Sequence, residues 1–238
     1  MLRAFAATIR DTAGGIASLN PVERWNVDNM TLSGTGVLSM SGLYNGFNLG
    51  FEGPSLPQYN SINNEILTKI TAILSLNNFS EIASEAGEIV AVVKYDPTIF
   101  FSGFGAIFSF GVNNSDRVAA FMTSNGFELL WNASTNRMST PAFNGNVYYI
   151  ISFVSTGSEY RIYIDDPINK RTLITVAGSN NGNWTNTVST QKAAIGTLNG
   201  VLVGRPILFR DQMYFNRLLT DDERTIVFNE LNEKYSIY

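Results

Sequence analysis

The middle of the chain alternates between short apolar runs and clusters of turn residues. Residues 88–95 form a nearly continuous β-branched run, which is typical of a strand covered on both faces. Further strands are predicted at 106–112, 117–123, 127–131, 147–155, 160–164 and 171–176. Clusters of Asn, Asp, Gly, Ser and Pro separate these strands, and no β-α-β alternation occurs. The pattern therefore predicts an antiparallel β-sandwich.

The flanking regions are less regular. Residues 25–59 are rich in Gly, Ser and Asn and predict short edge strands and loops. Residues 65–76 fit a helix and a strand equally well, so they stay unassigned. Near the end, Thr220 to Glu223 form a capping box, and an apolar stripe follows at Val227, Leu231 and Tyr235. A C-terminal helix is expected there, lying on the sandwich.

Residues 1–22 are interpreted as an N-terminal arm ahead of a single domain at 23–238. The first apolar residues have helical spacing, and Gly14-Gly15 interrupts it. So short a segment has no core of its own, and it either packs on its own domain or anchors the protein in an assembly. Arg10 and Asp11 break the apolar run before a secretory signal can form. No run reaches the ~18 apolar residues that span a bilayer, so membrane insertion is not expected.

The amino-acid composition excludes several kinds of catalytic and metal site. The 238 residues include 45% hydrophobic ones, enough for a full core, but no Cys and no His. Disulfides, Cys/His zinc sites, thiol nucleophiles and imidazole catalysis are therefore excluded. A net charge of −4 argues against binding to a nucleic-acid backbone. With 26 Asn and only five Lys, the surface should be polar but weakly charged.

Several segments together suggest a family. They are 25–29 with 31–34, 41–46 with 57–59, the strand 88–95, the hairpin 148–153 with 160–166, and the closing 194–196 with 213–223. In order and spacing they resemble laminin-G-like, concanavalin-A-like jelly-roll domains of bacteriophage and bacterial surface proteins. Asp166-Pro167 stands where that family usually has Asp-Gly, so this turn should differ. The resemblance implies an all-β, antiparallel jelly-roll β-sandwich with a C-terminal helix.

The resemblance also makes it necessary to test whether the protein is an enzyme, because some members of this fold hydrolyse glycans. Retaining members place two Glu and one Asp at alternate positions of one strand, which brings the carboxyl groups to about 5 Å from each other. The sequence contains no Glu-x-Asp-x-Glu run. Glu81, Glu85 and Glu88 are the densest carboxylates, and their spacing indicates solvated surface charge. No catalytic residue is therefore assigned, and the protein is not expected to be an enzyme.

Calcium is the one ion that the resemblance implies, since members of the fold often hold it with loop oxygens. The best local cluster is Asn113, Asn114 and Asp116. Turn-forming Asn and Asp explain the same residues without a metal. No other cofactor is expected.

For a ligand, the most informative residue is Trp184, which lies in an otherwise polar loop with Asn180, Asn181 and Asn183. An aromatic face stacks on the apolar side of a sugar ring, and amide side chains both donate to and accept from hydroxyls. Packing on the sandwich or in a subunit interface also explains Trp184. Trp25 and Trp131 lie within apolar patterns and are expected in the core.

These observations favour a non-enzymatic structural or adhesion protein of a virion, in a phage fibre, tail or capsid. The expected partners are other virion proteins, bound through the arm, and a host-surface glycan; nucleic acid is not expected. A homo-oligomer is compatible with this interpretation. The alternatives are a carbohydrate-binding module of the bacterial cell surface and, third, a glycan-cleaving enzyme.

Overall fold

The strands predicted from the hydrophobic pattern are all present, with ends shifted by at most two residues. The computed structural model describes residues 15–68, 73–76, 84–94, 105–111, 117–123, 126–131, 136–139, 146–166, 170–175, 193–196 and 207–238. Within these ranges the strands are β1 (Glu23–Asn26), β2 (Met30–Ser33), β3 (Gly36–Met40), β4 (Leu49–Glu52), β5 (Gln58–Asn60), β6 (Glu65–Leu67), β7 (Ile73–Leu76), β8 (Ala86–Lys94), β9 (Gly105–Gly111), β10 (Arg117–Thr123), β11 (Gly126–Trp131), β12 (Asn136–Ser139), β13 (Tyr148–Thr156), β14 (Tyr160–Asp166), β15 (Lys170–Thr175), β16 (Ala193–Ile195) and β17 (Leu208–Phe215). A 3-10 helix (Ile16–Leu19) precedes them, and helix α1 (Asp221–Tyr235) follows.

The strands form two antiparallel layers. The front sheet has the order β15-β14-β13-β8-β17, and the far edge of β17 pairs with β6 and then with β1. The back sheet has the order β12-β11-β10-β9-β16-β7-β4-β3-β2. Strand β5 pairs with β3 and with β6, so it connects the two layers at one edge.

The core lies between the layers. Phe108 of β9 meets Phe153 of β13 edge to face, with ring centroids 5.2 Å apart. Phe127 of β11 meets Tyr149 of β13 in the same way at 5.3 Å. Because each pair joins the front sheet to the back sheet, the two sheets pack face to face as a sandwich. Trp25 is also buried, as predicted, whereas the side chain of Trp131 lies outside the described residues.

The prediction that 88–95 is covered on both faces is confirmed for residues 88–93, whereas Lys94 is half-buried and Tyr95 lies outside the described residues. In β8 the seven residues from Gly87 to Val93 are buried. Ile89 borders a small space between the sheets, whereas the neighbouring Glu88 bonds to helix α1 on the opposite face. Helix α1 therefore covers the outer face of the front sheet. Successive side chains of β8 alternate between the contact with the back sheet and the contact with this helix.

The strands of two segments could be assigned only from the structure. The ambiguous residues 65–76 contain two short strands, β6 and β7, and residues 69–72 lie outside the described ranges. Strand β12 was not predicted, because Asn136-Arg137-Met138-Ser139 has no apolar alternation. It pairs with β11 alone among the described strands, at the edge of the back sheet, where such alternation is not required.

The predicted capping box opens helix α1. The Thr220 hydroxyl accepts from the Glu223 amide at 3.2 Å, and the Glu223 carboxylate accepts from the Thr220 amide at 2.8 Å. Arg217 donates to both Glu223 oxygens, at 2.8 and 2.7 Å, and to the Leu19 carbonyl at 2.9 Å. These hydrogen bonds, those from Arg217 first, hold the pKa of Glu223 at about 2. Arg217 thus links the turn after β17 to both helices through hydrogen bonds, which explains its place in the closing motif.

No helix among the described residues is long and apolar enough to cross a membrane.

The interpretation of Glu88 as a solvated surface charge is wrong. Its side chain is fully buried, and its carboxylate accepts from the Arg224 guanidinium at 2.8 and 2.9 Å. Ser152 of β13 also donates to it, at 2.5 Å. Nothing in the sequence near Glu88 marks this pair, because Arg224 lies 136 residues away. Glu85 is exposed as expected, and Glu81 lies outside the described residues.

Candidate functional site

The loop residues predicted to contact ligands lie outside the described residues. This holds for Trp184, Asn180, Asn181 and Asn183 and for the calcium candidates Asn113, Asn114 and Asp116. Both sites therefore stay predictions. In the part of the chain that the structure describes, no group of three or more acidic side chains is placed to hold a metal ion.

A cavity of about 380 Å³ opens beside strand β4. One wall is the loop 45–48, the floor is residues 50–52 of β4, and Ser75 and Leu76 of β7 complete it. We call it the β4 cavity. Pairing of Gly50 with Ser75 brings β4 and β7 together, so the cavity is built from segments about 25 residues apart in the chain.

A buried carboxylate holds the wall of this cavity in place. Glu23 is fully buried, and its Oε1 accepts from the amides of Arg24 and Tyr44 at 3.0 and 2.8 Å. Its Oε2 accepts from the amides of Asn45 and Phe47 at 3.1 and 2.9 Å. None of the salt bridges between described residues involves Glu23. Four backbone N–H groups therefore stabilise this charge, and in turn it fixes the course of the loop.

Further contacts hold the same loop. The Trp25 indole donates to the Phe47 carbonyl at 2.5 Å, and the Gly42 amide donates to Asn48 Oδ1 at 3.0 Å. A Cβ at Gly42 would lie 2.3 Å from the Glu23 carboxylate, so only glycine fits there. Residues 41–46, one of the segments that carry the family resemblance, thus have a physical role in shaping the cavity.

The lining of the β4 cavity suits recognition of a neutral polar ligand. Asn45 and Asn48 are exposed and carry amide groups, while Phe47 and Phe51 are partly exposed aromatic rings. Glu52 is the single carboxylate among the described lining residues, and it accepts from Ser75 Oγ at 2.6 Å. Amides beside aromatic rings are groups that bind saccharides, whereas most glycoside hydrolases use a pair of carboxyl groups.

Sequence reasoning missed this site. Glu23 stands between Val22 and Arg24 with no local sign that it is buried, and of the lining residues only Asn45 and Gly46 belong to a segment that carries the family resemblance. The one usable signal was the segment 41–48, where a loop with two glycines and two asparagines leaves room for a close backbone contact.

No protein-family model matches the chain, and no curated protein matches it. Several solved structures resemble its fold. The receptor-binding domain of botulinum neurotoxin mosaic serotype C/D is 12% identical, with a TM-score of 0.58 over 88% of this chain and 50% of that one. A structure of botulinum neurotoxin type C, described as dependent on two ganglioside molecules for entering cells, is 16% identical, with a TM-score of 0.55 over 83% and 51%.

The Trypanosoma rangeli sialidase in complex with sialic acid is 11% identical, with a TM-score of 0.58 over 89% of this chain and 33% of that one. The chain thus spans about half the length of the neurotoxin domains and a third of the sialidase. At these identities the likeness concerns the fold alone. The chain is an antiparallel jelly-roll β-sandwich with a C-terminal helix, as the sequence predicted.

Proposed function

We propose that this chain is a non-enzymatic, glycan-binding jelly-roll module and that the β4 cavity is a saccharide site. The observation that carries the proposal is the loop 45–48, which Glu23 holds rigid so that its amides and aromatic rings line an open cavity. A preformed site loses little conformational entropy when a ligand binds, which favours even a weakly bound sugar.

Two further observations support a sugar ligand. The Asn-rich, weakly charged composition offers amides and carbonyls rather than ion pairs to a partner. Among structures of similar fold, one is described with gangliosides and another with sialic acid. The loop with Trp184, Asn180, Asn181 and Asn183 is proposed as a second contact region for the same glycan.

The biological setting that we propose is a virion, with the module in a fibre, tail or capsid, where it attaches to host-surface glycans. The family resemblance and the N-terminal arm support this setting. The alternative is a surface module of a bacterial cell. A glycan-cleaving enzyme is the third candidate, and the single carboxylate among the described lining residues of the β4 cavity argues against it there.

Binding to a panel of bacterial-surface glycans tests the site. Asn48→Asp keeps the Oδ1 acceptor for the Gly42 amide but removes the amide donor, so we expect about ten-fold weaker binding of a neutral saccharide. Asn229→Asp makes the same change at an exposed position of helix α1 and should leave binding unchanged. Trp184→Ala should weaken binding while leaving the unfolding midpoint in place. Unchanged affinity in Asn48→Asp would contradict the β4 site, and release of sugar from any polysaccharide would contradict a non-enzymatic role.

The arm has its own test, for which deletion of residues 1–14 is the suitable variant. Residues 15–22 pack on the domain: Ile16 and Leu19 are buried, the Ile16 amide donates to Glu230 at 2.8 Å, and the Val22 amide donates to the Tyr214 carbonyl at 2.8 Å. We expect the truncated protein to unfold at the same temperature as the full chain but to be missing from purified particles. Incorporation at the normal level would refute the role of these residues as an anchor.

A further inference from the structure

A second cavity, of about 290 Å³, lies where β5 and β6 meet the end of β8 and the start of β17. Its polar lining consists of Gln58, Tyr59, Asn60, Asn63, Glu65 and Lys94. We call it the Lys94 cavity. It shares no described lining residue with the β4 cavity, so a ligand in one does not occupy the other.

Lys94 supplies a cation to this cavity. It is the last residue of β8, and its Nζ lies 5.5 Å from the centroid of the Tyr148 ring. None of the salt bridges between described residues involves Lys94. Lys234 is different, because its Nζ lies 2.7 Å from an Asp28 oxygen. Lys94 thus places a positive charge at a cavity, with no carboxylate of the described residues bound to it.

Glu65, the one carboxylate among the described residues that line the Lys94 cavity, already accepts several hydrogen bonds. Glu65 is buried, and it accepts from Asn63 Nδ2 at 2.8 Å, from Asn60 Nδ2 at 3.4 Å and from the Tyr148 hydroxyl. Burial, and then the hydrogen bond to Glu65, raise the pKa of Tyr148, so this phenol stays protonated and remains a donor. The guanidinium of Arg210 lies 3.7 Å from the Tyr148 ring centroid and adds further positive charge nearby.

The remaining groups suit a sugar ring. The Tyr59 hydroxyl donates to Asn64 Oδ1 at 2.8 Å, which fixes the orientation of the ring that lines the cavity. A nitrogen of a side-chain amide carries two protons, so Asn60 and Asn63 each have a donor beyond the one given to Glu65. The cavity therefore combines a cation, an aromatic face and amide donors.

We propose that the Lys94 cavity binds a carboxylate-bearing saccharide, with the carboxylate on the Lys94 ammonium and the sugar ring against Tyr59. An ammonium attracts a carboxylate most strongly where water is partly excluded, and the aromatic face and amide donors select a hydroxylated ring over a simple anion. This site is separate from the proposed saccharide site in the β4 cavity and does not depend on it.

The test is an NMR titration of the full chain with three probes: the methyl α-glycoside of N-acetylneuraminic acid, methyl β-galactoside as a neutral sugar, and sodium acetate as a carboxylate without a ring. We expect the acidic sugar to shift the amide signals of residues 58–65 and 94, and to bind there about ten-fold more tightly than either of the others. Equal affinity for the neutral sugar would overturn the role of Lys94. Equal affinity for acetate would overturn the role of the ring.

Variants make the test independent of folding defects. Lys94→Gln should weaken binding of the acidic sugar about ten-fold, and Lys94→Arg should retain most of it. Arg161→Gln is the control, because it removes the same charge far from the cavity. Lys94 pairs with Tyr148 at one end of β13, whereas Arg161 pairs with Val154 near the other end. The Arg161→Gln variant should therefore bind the acidic sugar normally. Unchanged affinity in Lys94→Gln would refute the proposal. Asn48→Asp should leave this binding intact, so failure here and failure at the β4 cavity are distinguishable.

Discussion

Glu88→Gln is expected to lower the free energy of unfolding by about 3–5 kcal/mol, because it leaves the buried Arg224 guanidinium with only the exposed Asp221 carboxylate as counter-ion. Arg224 donates to both Glu88 oxygens, and the two side chains are 3% and 0% exposed. The Leu219 amide and the Ser152 hydroxyl also donate to this carboxylate. The neutral amide keeps the shape of the side chain, so the loss measures the charge and its hydrogen bonds.

Urea unfolding of the full chain measures this effect. Glu85→Gln is the matched control, because it makes the same change three residues away at an exposed position, where surface substitutions cost less than about 0.5 kcal/mol. The double variant Glu88→Leu with Arg224→Met should recover part of the loss, since an apolar pair needs no desolvation of charge. If Glu88→Gln unfolds at the same urea concentration as Glu85→Gln, the buried pair does not stabilise the contact between helix and sheet.

Glu23→Gln is expected to destabilise the protein by about 2–4 kcal/mol, because one oxygen becomes an NH2 group that faces two backbone donors. Each Glu23 oxygen accepts from two amides, so the substitution leaves either the amides of Arg24 and Tyr44 or those of Asn45 and Phe47 without an acceptor. The loop 45–48 should then lose its fixed course, and neutral saccharides should no longer bind to the β4 cavity.

Amide hydrogen exchange separates these effects. In Glu23→Gln, the exchange rates of the Tyr44, Asn45 and Phe47 amides should increase more, relative to the unaltered protein, than those of the core-strand amides, which report global unfolding. Glu233→Gln, on the exposed side of helix α1, serves as the control and should change neither exchange nor binding. Gly42→Ala would place a Cβ 2.3 Å from the same carboxylate and should reproduce the faster exchange. Normal exchange in both Glu23→Gln and Gly42→Ala would show that Glu23 does not hold the loop.

Two kinds of contact hold the buried charges discussed above. Under helix α1, charge is paired with charge: Arg24 donates to Asp211 at 3.1 and 2.8 Å, and Arg224 binds Glu88. These pairs fix the helix on the outer face of the front sheet. Away from the helix, Glu23 is held by amides, and it orders a loop instead of a helix. Both kinds of contact stabilise the fold.

The sequence predicted the features that depend on neighbouring residues. The strands of the core, the β8 run covered on both faces and the capping box at Thr220 all follow from local patterns of side chains. Residues 65–76 could not be assigned, because two short strands contain too few residues to establish a period.

What the sequence could not predict depends on contacts between distant residues. Glu23 and Glu88 look like ordinary surface glutamates, yet one binds a loop about 22 residues away and the other binds Arg224 across 136 residues. The β4 cavity likewise exists because β4 pairs with β7, and the Lys94 cavity because β5 and β6 meet β17. Local patterns do not encode such pairings.

Amide chemical-shift mapping with the neutral saccharide that binds best in the glycan panel shows directly whether the β4 cavity is the binding site. A saccharide in this cavity should shift the amide signals of residues 45–52 and 75–76, with Asn48→Asp reducing the shifts and Asn229→Asp leaving them unchanged. Shifts that leave residues 45–52 unaffected, or binding that survives intact in Asn48→Asp, would contradict a saccharide site in the β4 cavity.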